Sequence, residues 1–183
     1  MIDTINDVES IKARATLLYS CEEINTVIDR IAKEMNEVLA GTNPLMLVVM
    51  NGAVIFAGHL ATRLTFNTQF DYVHATRYRG EIEASELHWL SKPHTPMAGR
   101  TVVIIEDILD TGVTLAAVAD HCKQENAKTI YTAALIDKDH PRTNGGIQKT
   151  DFTGLKLEDK FLFGFGLDYK GFLRNEPGIF AVE

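Results

Sequence analysis

The chain has 183 residues, 45% of them hydrophobic and 23% charged, a balance that excludes intrinsic disorder. A chain of this length can bury roughly 70% of its unfolded surface in a single core. Its 18 Lys and Arg against 25 Asp and Glu leave a net charge of −7, so the overall basic footprint of a nucleic-acid binder is missing. Cys21 and Cys122 lie about a hundred residues apart, which argues against a disulfide framework or structural zinc and for reduced thiols. No apolar h-region follows the N-terminus, and the longest apolar run, Leu45 to Met50, is too short to cross a bilayer. These features predict a cytoplasmic protein that engages neither membrane nor nucleic acid.

In chain order, the first fifteen residues read as a loosely organised arm. Ser20-Cys21-Glu22-Glu23 has the S-x-x-E form of a capping box and opens a predicted helix. Ile24, Val27, Ile28, Ile31, Ala32, Met35, Val38 and Leu39 fall on one face of that helix, and Gly41 ends it. Leu45 to Met50 (LMLVVM) is a continuous apolar run, as expected of a strand covered on both faces. Asn51-Gly52 breaks it, Ala53 to Leu64 reads as a second helix, and Phe70 to Thr76 as a second strand.

From Arg77 to Pro96 the pattern dissolves, with a brief β-like interruption at Trp89-Leu90. A weakly patterned stretch of this length predicts a functional flap or hairpin. Thr101 to Glu106 (TVVIIE) is the clearest buried strand. Leu115, Val118, Ala119 and Cys122 mark the inner face of a helix that stops at Asn126, and Ile130 to Ile136 is the next strand. Repeated strand-helix-strand units predict an α/β fold, a mainly parallel twisted sheet with flanking helices. The Gly- and aromatic-rich end, Phe161 to Glu183, is expected to form a short-stranded cap.

The chemistry concentrates in VVIIEDILDTGVTL, Val102 to Leu115. An apolar strand runs into Glu106 and Asp107, then into Asp110-Thr111-Gly112-Val113-Thr114, then into a helix. That is the carboxyl end of a parallel strand, where open α/β sheets bind ligands. The Thr111 to Thr114 turn offers backbone N–H groups, hydroxyls and a helix N-terminus, which suit a phosphate. Glu106 and Asp107, set back along the chain, suit ribose hydroxyls held directly or through a divalent cation. Asp110 alone serves equally well as a helix cap. Together the run describes a site for a phosphorylated ribose.

This segment resembles the phosphoribosylpyrophosphate-binding motif of the type I phosphoribosyltransferases. Its E-D-x-x-D-T-G-x-T form is similar to the purine salvage branch, the hypoxanthine-guanine phosphoribosyltransferases. The resemblance continues through VVMNGAVIF (Val48 to Phe56), HATRYRGE (His74 to Glu81), ALIDK (Ala134 to Lys138) and KFLFGFGLDY (Lys160 to Tyr169). In the family these segments are the pyrophosphate loop, the mobile flap and two base-recognition segments. The resemblance implies one domain over 1–183, with a flap near 77–89 and a hood built from about 1–20 and 155–183.

It further implies Mg²⁺-dependent attack of purine N9 on phosphoribosylpyrophosphate, giving IMP or GMP and pyrophosphate. On this reading Glu106 and Asp107 face the ribose and its metal, and Thr111, Gly112, Val113 and Thr114 cradle the 5′-phosphate. Asp110 lies at purine N7 as a proton acceptor, a donor or an orienting group. Lys138 reads the 6-oxo group, Phe161 stacks on the base and the Leu162 backbone meets its edge. In KFLFGFG, Phe163 and Phe165 are the candidates for core. Asp168 joins the Mg²⁺ site. Asn51, Gly52, Arg77, Tyr78 and Arg174 meet pyrophosphate.

Two departures from the family pattern stand out. Asn51 replaces a lysine common before the loop glycine, and Arg77-Tyr78 replaces a Ser-Tyr pair. Arg77 is expected to lend charge to the leaving pyrophosphate. The family's habit of assembly implies a homodimer or homotetramer. A xanthine-preferring relative is the nearest alternative, and a phosphoribosyltransferase-fold RNA-binding regulator a more distant one, disfavoured by the −7 charge.

Overall fold

The structure is a computed structural model that describes residues 2–77 and 87–182. Its framework is a six-stranded sheet of order β4-β3-β2-β5-β6-β7. The strands are β2 (Leu45–Met50), β3 (Gln69–Arg77), β4 (Leu87–Ser91), β5 (Thr101–Leu109), β6 (Thr129–Asp139) and β7 (Phe152–Glu158). All pairings are parallel except β3 with β4. The α/β expectation therefore holds, and the parallel centre explains why β2 and the Val102–Ile105 stretch of β5 are continuously apolar.

The period-two alternation of the strands divides the interior. Met46, Val48, Val103 and Ile105 face α2 (Cys21–Leu39) and α3 (Val54–Ala61). Leu45, Leu47, Val102 and Ile104 face α4 (Val113–Gln124). Helix α2 begins where the capping box places it: the Glu23 N–H donates to Ser20 Oγ, and the Ser20 N–H donates to Glu23 Oε2 at 2.9 Å. Helix α3 is shorter than its predicted span of 53–64, ending at Ala61. Strand β5 runs on past Glu106 to Leu109, so both carboxylates sit inside the ladder rather than beyond it. Strand β6 likewise extends through Lys138, which is a strand residue and not a loop residue.

The first fifteen residues form no loose arm. Helix α1 (Ile2–Arg14) occupies them, because Val8 and Ile11, at helical spacing, find an apolar partner elsewhere in the chain. Val8 and Ile11 pack with Phe163 and Leu173 in a small core separate from the main one. That core lies under a three-stranded antiparallel sheet, β1 (Thr16–Tyr19), β9 (Ile179–Val182) and β8 (Phe161–Phe163), in the order β1-β9-β8. The two ends of the chain thus build the hood jointly. Residues 155–158, read from the sequence as hood, belong instead to β7 of the large sheet.

The predicted flap begins as a hairpin, since β4 pairs with β3 and sets Ala75 against Trp89. The Trp89 ring rests on His121 of α4 at 5.1 Å, which anchors the base of that hairpin. Residues 78–86, including Tyr78, lie outside the described residues. Among the described residues no helix is long and apolar enough to cross a membrane.

The hood gives a direct stability contrast within one strand. Phe163 is fully buried and stacks on Phe180 with ring centroids 5.3 Å apart, whereas Phe161 is 48% exposed. Phe163→Ala is expected to cost about 3–5 kcal/mol in urea unfolding, and Phe161→Ala under about 1 kcal/mol. Equal losses would contradict this division of the strand.

Candidate functional site

A cleft of about 330 Å³ opens at the carboxyl ends of β2, β3 and β5. Asn51, Gly52, Glu106, Asp107, Asp110, Thr111, Gly112, Thr114, Asp168 and Arg174 line it, together with His74. Residues of the 48–56, 74–81, 102–115 and 160–169 motifs, scattered along the chain, therefore converge. Val113 begins α4 immediately behind Gly112.

The phosphate-type loop is held from two sides. Gly112 has φ 77° and caps α4. A Cβ there would lie 2.2 Å from the Ile147 carbonyl oxygen, so both the backbone angle and the space demand glycine. The Ile147 N–H donates to Gly112 O at 3.0 Å and the Thr143 N–H to Thr111 O at 3.1 Å. The Arg142 guanidinium donates to the Asp110 carbonyl and to the Asp137 carboxylate. The segment 140–148 thus braces the loop and leaves the first-turn N–H groups of α4 directed at the cleft. Sequence reading passed over this segment. Its only signal is a lone arginine before a Thr-Asn-Gly-Gly turn, which points to no particular partner.

Glu106 and Asp107 are 8% and 9% exposed. Burial pushes the Asp107 carboxyl above its usual range, while a hydrogen bond with Glu106, the Ile108 N–H and the Arg174 charge pull the other way. The Ile108 N–H donates to Asp107 Oδ1 at 2.9 Å. Gly52 closes over this carboxylate so tightly that a Cβ on it would stand 1.9 Å from Asp107 Oδ2. Any side chain at position 52 would displace the acid.

Arg174 ties the hood to the same floor, donating to Gly166 O at 2.5 Å and pairing with Asp168 Oδ1 at 2.7 Å. The other Asp168 oxygen accepts the Gly171 N–H at 2.7 Å. The lining is strongly acidic, with Glu106, Asp107, Asp110 and Asp168 against Arg174. Among the described residues, no three metal-ligating side chains gather into one cluster.

The residues expected to recognise the base stand apart from the cleft. Lys138 lines a second cavity of about 600 Å³ with Asp137, His140 and Arg142. Its ammonium lies 2.6 Å from Asp159 Oδ1 and 3.9 Å from Asp110 Oδ1. Asp110 Oδ1 is buried and has no hydrogen-bond partner, an acceptor left for a ligand. Phe161 offers an open ring, its edge met by Tyr169 at 5.5 Å and 89°, and Leu162 beside it is buried. Phe163 and Phe165 are core, as expected. Tyr169 is itself held from α1, donating to Asp7 Oδ2 at 2.8 Å. Arg77 closes β3 at the mouth of the flap.

Comparison with known proteins agrees with this geometry. The phosphoribosyl transferase domain model matches residues 17–170. A hypoxanthine-guanine phosphoribosyltransferase of Streptococcus thermophilus is 33% identical over 168 residues, covering 91% of this chain and 92% of that protein. A hypoxanthine-guanine-xanthine phosphoribosyltransferase of Tritrichomonas foetus is 29% identical over 163 residues, covering 89% and 88%. The solved structure of a hypoxanthine-guanine phosphoribosyltransferase from Bacillus anthracis superposes with a TM-score of 0.86 at 25% identity, covering 92% of this chain and 98% of that one. With the family model spanning most of its length and a relative of 33% identity over 91% of it, the chain belongs to the phosphoribosyl transferase domain family.

Proposed function

We propose that this chain is a purine salvage enzyme that transfers the phosphoribosyl group of phosphoribosylpyrophosphate to N9 of hypoxanthine or guanine. The observation that carries the reading is the pairing, in one cleft, of a braced helix-N-terminal loop with a buried acidic pair and an Asp110 oxygen that has no hydrogen-bond partner. The N–H groups around Thr111 to Thr114 hold the 5′-phosphate. Glu106 and Asp107 hold the ribose hydroxyls and balance the positive charge that develops as the C1–O bond to pyrophosphate breaks. Purine N9 forms the new bond to C1 with inversion, and the pair of electrons leaves with pyrophosphate. Asp110 accepts at N7, Lys138 donates to the 6-oxo oxygen, Phe161 stacks on the ring and Leu162 offers backbone to its edge. Arg174, Asn51 and Gly52 face the leaving group, and Arg77 and Tyr78 are assigned to the same pyrophosphate.

The residues fit a hard divalent cation. The cleft would meet a polyanionic substrate with four carboxylates, and oxygen donors of this kind suit Mg²⁺ with phosphate oxygens completing its shell. Glu106 and Asp107 on the ribose side and Asp168 on the pyrophosphate side would hold it. When bound, Mg²⁺ neutralises the diphosphate as it departs.

Two measurements test the proposal. Nucleotide formation is assayed with hypoxanthine, guanine, xanthine and adenine in parallel. Hypoxanthine and guanine are expected to turn over, and adenine to lag by about four orders of magnitude, because a 6-amino group leaves the lysine without an acceptor. Lys138→Ala should erode that ratio. Tight nucleotide binding with no turnover of any base would favour a regulator on the same fold.

The second concerns the acidic pair. A carboxyl whose pKa is raised in the folded state contributes stability below its unfolded value of 3.8, and that stability is lost as the pH rises through the raised value. Asp107→Asn keeps an acceptor for the Ile108 N–H and removes the buried charge. It is expected to raise the melting temperature at neutral pH while turnover falls about a hundredfold. A variant both less stable and fully active would refute the role of this acid.

A further inference from the structure

Resting on the reading of Lys138 as the base reader, we propose that Asp159 is its positioning residue. In that role, with His140 as brace, Asp159 keeps Lys138 and Asp110 separately available to the purine. Nothing in the sequence motifs points to Asp159 or His140. The parallel register of β6 and β7 brings them together: Lys138 stands opposite Leu157 and Asp139 opposite Glu158, so the turn after β7 delivers Asp159 beside the end of β6.

The two oxygens of Asp159 are divided between two partners. Oδ1 accepts from the Lys138 ammonium at 2.6 Å, and Oδ2 accepts from His140 Nδ1 at 2.7 Å. A carboxylate only accepts, so this contact fixes the His140 tautomer with its proton on Nδ1. Hydrogen bonds from Lys138 first, and then from His140, hold the Asp159 carboxyl below its usual range, which keeps it ionised at neutral pH.

The alternative partner for the ammonium is Asp110, whose Oδ1 is 3.9 Å away, beyond hydrogen-bond reach. Lysine is a point charge on a flexible stem. Released from Asp159, it would shorten that ion pair to a hydrogen bond and occupy the oxygen that is now buried without a hydrogen-bond partner. Both polar readers of the base would then be spent on each other. Held by Asp159, the Lys138 side chain is only 16% exposed and retains two N–H donors. One of them can serve a 6-oxo oxygen while Asp110 serves the imidazole edge.

A plain structural staple between β6 and the β7–β8 turn would predict something else, a loss of stability without a change in base recognition. The test compares wild type, Asp159→Asn, Asp159→Glu, Lys138→Ala and the Lys138→Ala/Asp159→Asn double variant. The readouts are KM for hypoxanthine, KM for phosphoribosylpyrophosphate, and the GMP-to-AMP binding ratio from titration calorimetry. Asp159→Asn is expected to raise KM for hypoxanthine about tenfold, the scale of one hydrogen bond to a charged group. It should lower the GMP-to-AMP ratio similarly and leave KM for phosphoribosylpyrophosphate unchanged. Asp159→Glu should recover part of the loss, and the double variant should match Lys138→Ala.

If Lys138→Ala leaves hypoxanthine KM and the GMP-to-AMP ratio intact, the base-reader reading fails and the positioning role goes with it. If Lys138→Ala is impaired but Asp159→Asn changes only the melting temperature, the reading stands and the positioning role is overturned. Additive losses in the double variant would overturn it too, since Asp159 would then act without Lys138.

Discussion

The structure turns on the burial of two adjacent carboxylates at the end of a strand that is otherwise hydrocarbon. Glu106 and Asp107 extend the β5 ladder into the floor of the cleft, where desolvation disfavours their charge. Every neighbouring feature answers to that cost. Gly52 yields the space of a side chain so that the Asp107 carboxylate can sit flush against the β2 loop. Arg174 brings a guanidinium down from the hood, and the Ile108 N–H donates from the strand itself. A site assembled this way is stable only as far as these partners allow.

The same constraint explains why the hood must be firmly built. Arg174 and Asp168 are carried on a loop that follows β8, and an ion pair on a loose loop would cost more ordering entropy to form. Here the loop is held three times over. Tyr169 and Lys170 both donate to Asp7 of α1, Lys12 pairs with Glu176 at 2.6 Å, and Leu173 packs beneath Val8 and Ile11. The N-terminal helix is therefore part of the site's support, although none of its described side chains lines the cleft.

That helix also marks the limit of what the sequence discloses. Elements whose partners are local, or whose burial is complete, were legible. The capping box before α2, the apolar runs of β2 and β5 and the 102–115 motif each carry their own signal. Elements that depend on a distant partner were not. Helix α1 and strand β1 have faces only a few residues wide, and these become meaningful when the last twenty residues of the chain fold back over them. Strand β7 was hidden for a similar reason: as an edge strand it buries only Phe152 and Leu155, too sparse an alternation to stand out.

The site shows the same division. Residues that a nucleotide would touch lie in compact motifs, because the chemistry needs them at fixed spacing on one strand-loop-helix unit. Residues that hold those groups in place do not. Arg142 reaches Asp110 across 32 positions, and His140 reaches Asp159 across 19. Such contacts arise from register: once β6 lies parallel to both β5 and β7, the loops leaving their carboxyl ends must share one rim. On that rim a lysine with two carboxylates in range needs one of them to hold it, or it will neutralise the other. On the proposed reading of Lys138, specificity for the base is then a property of the rim as a whole, in which the group that reads the purine depends on the group that restrains it.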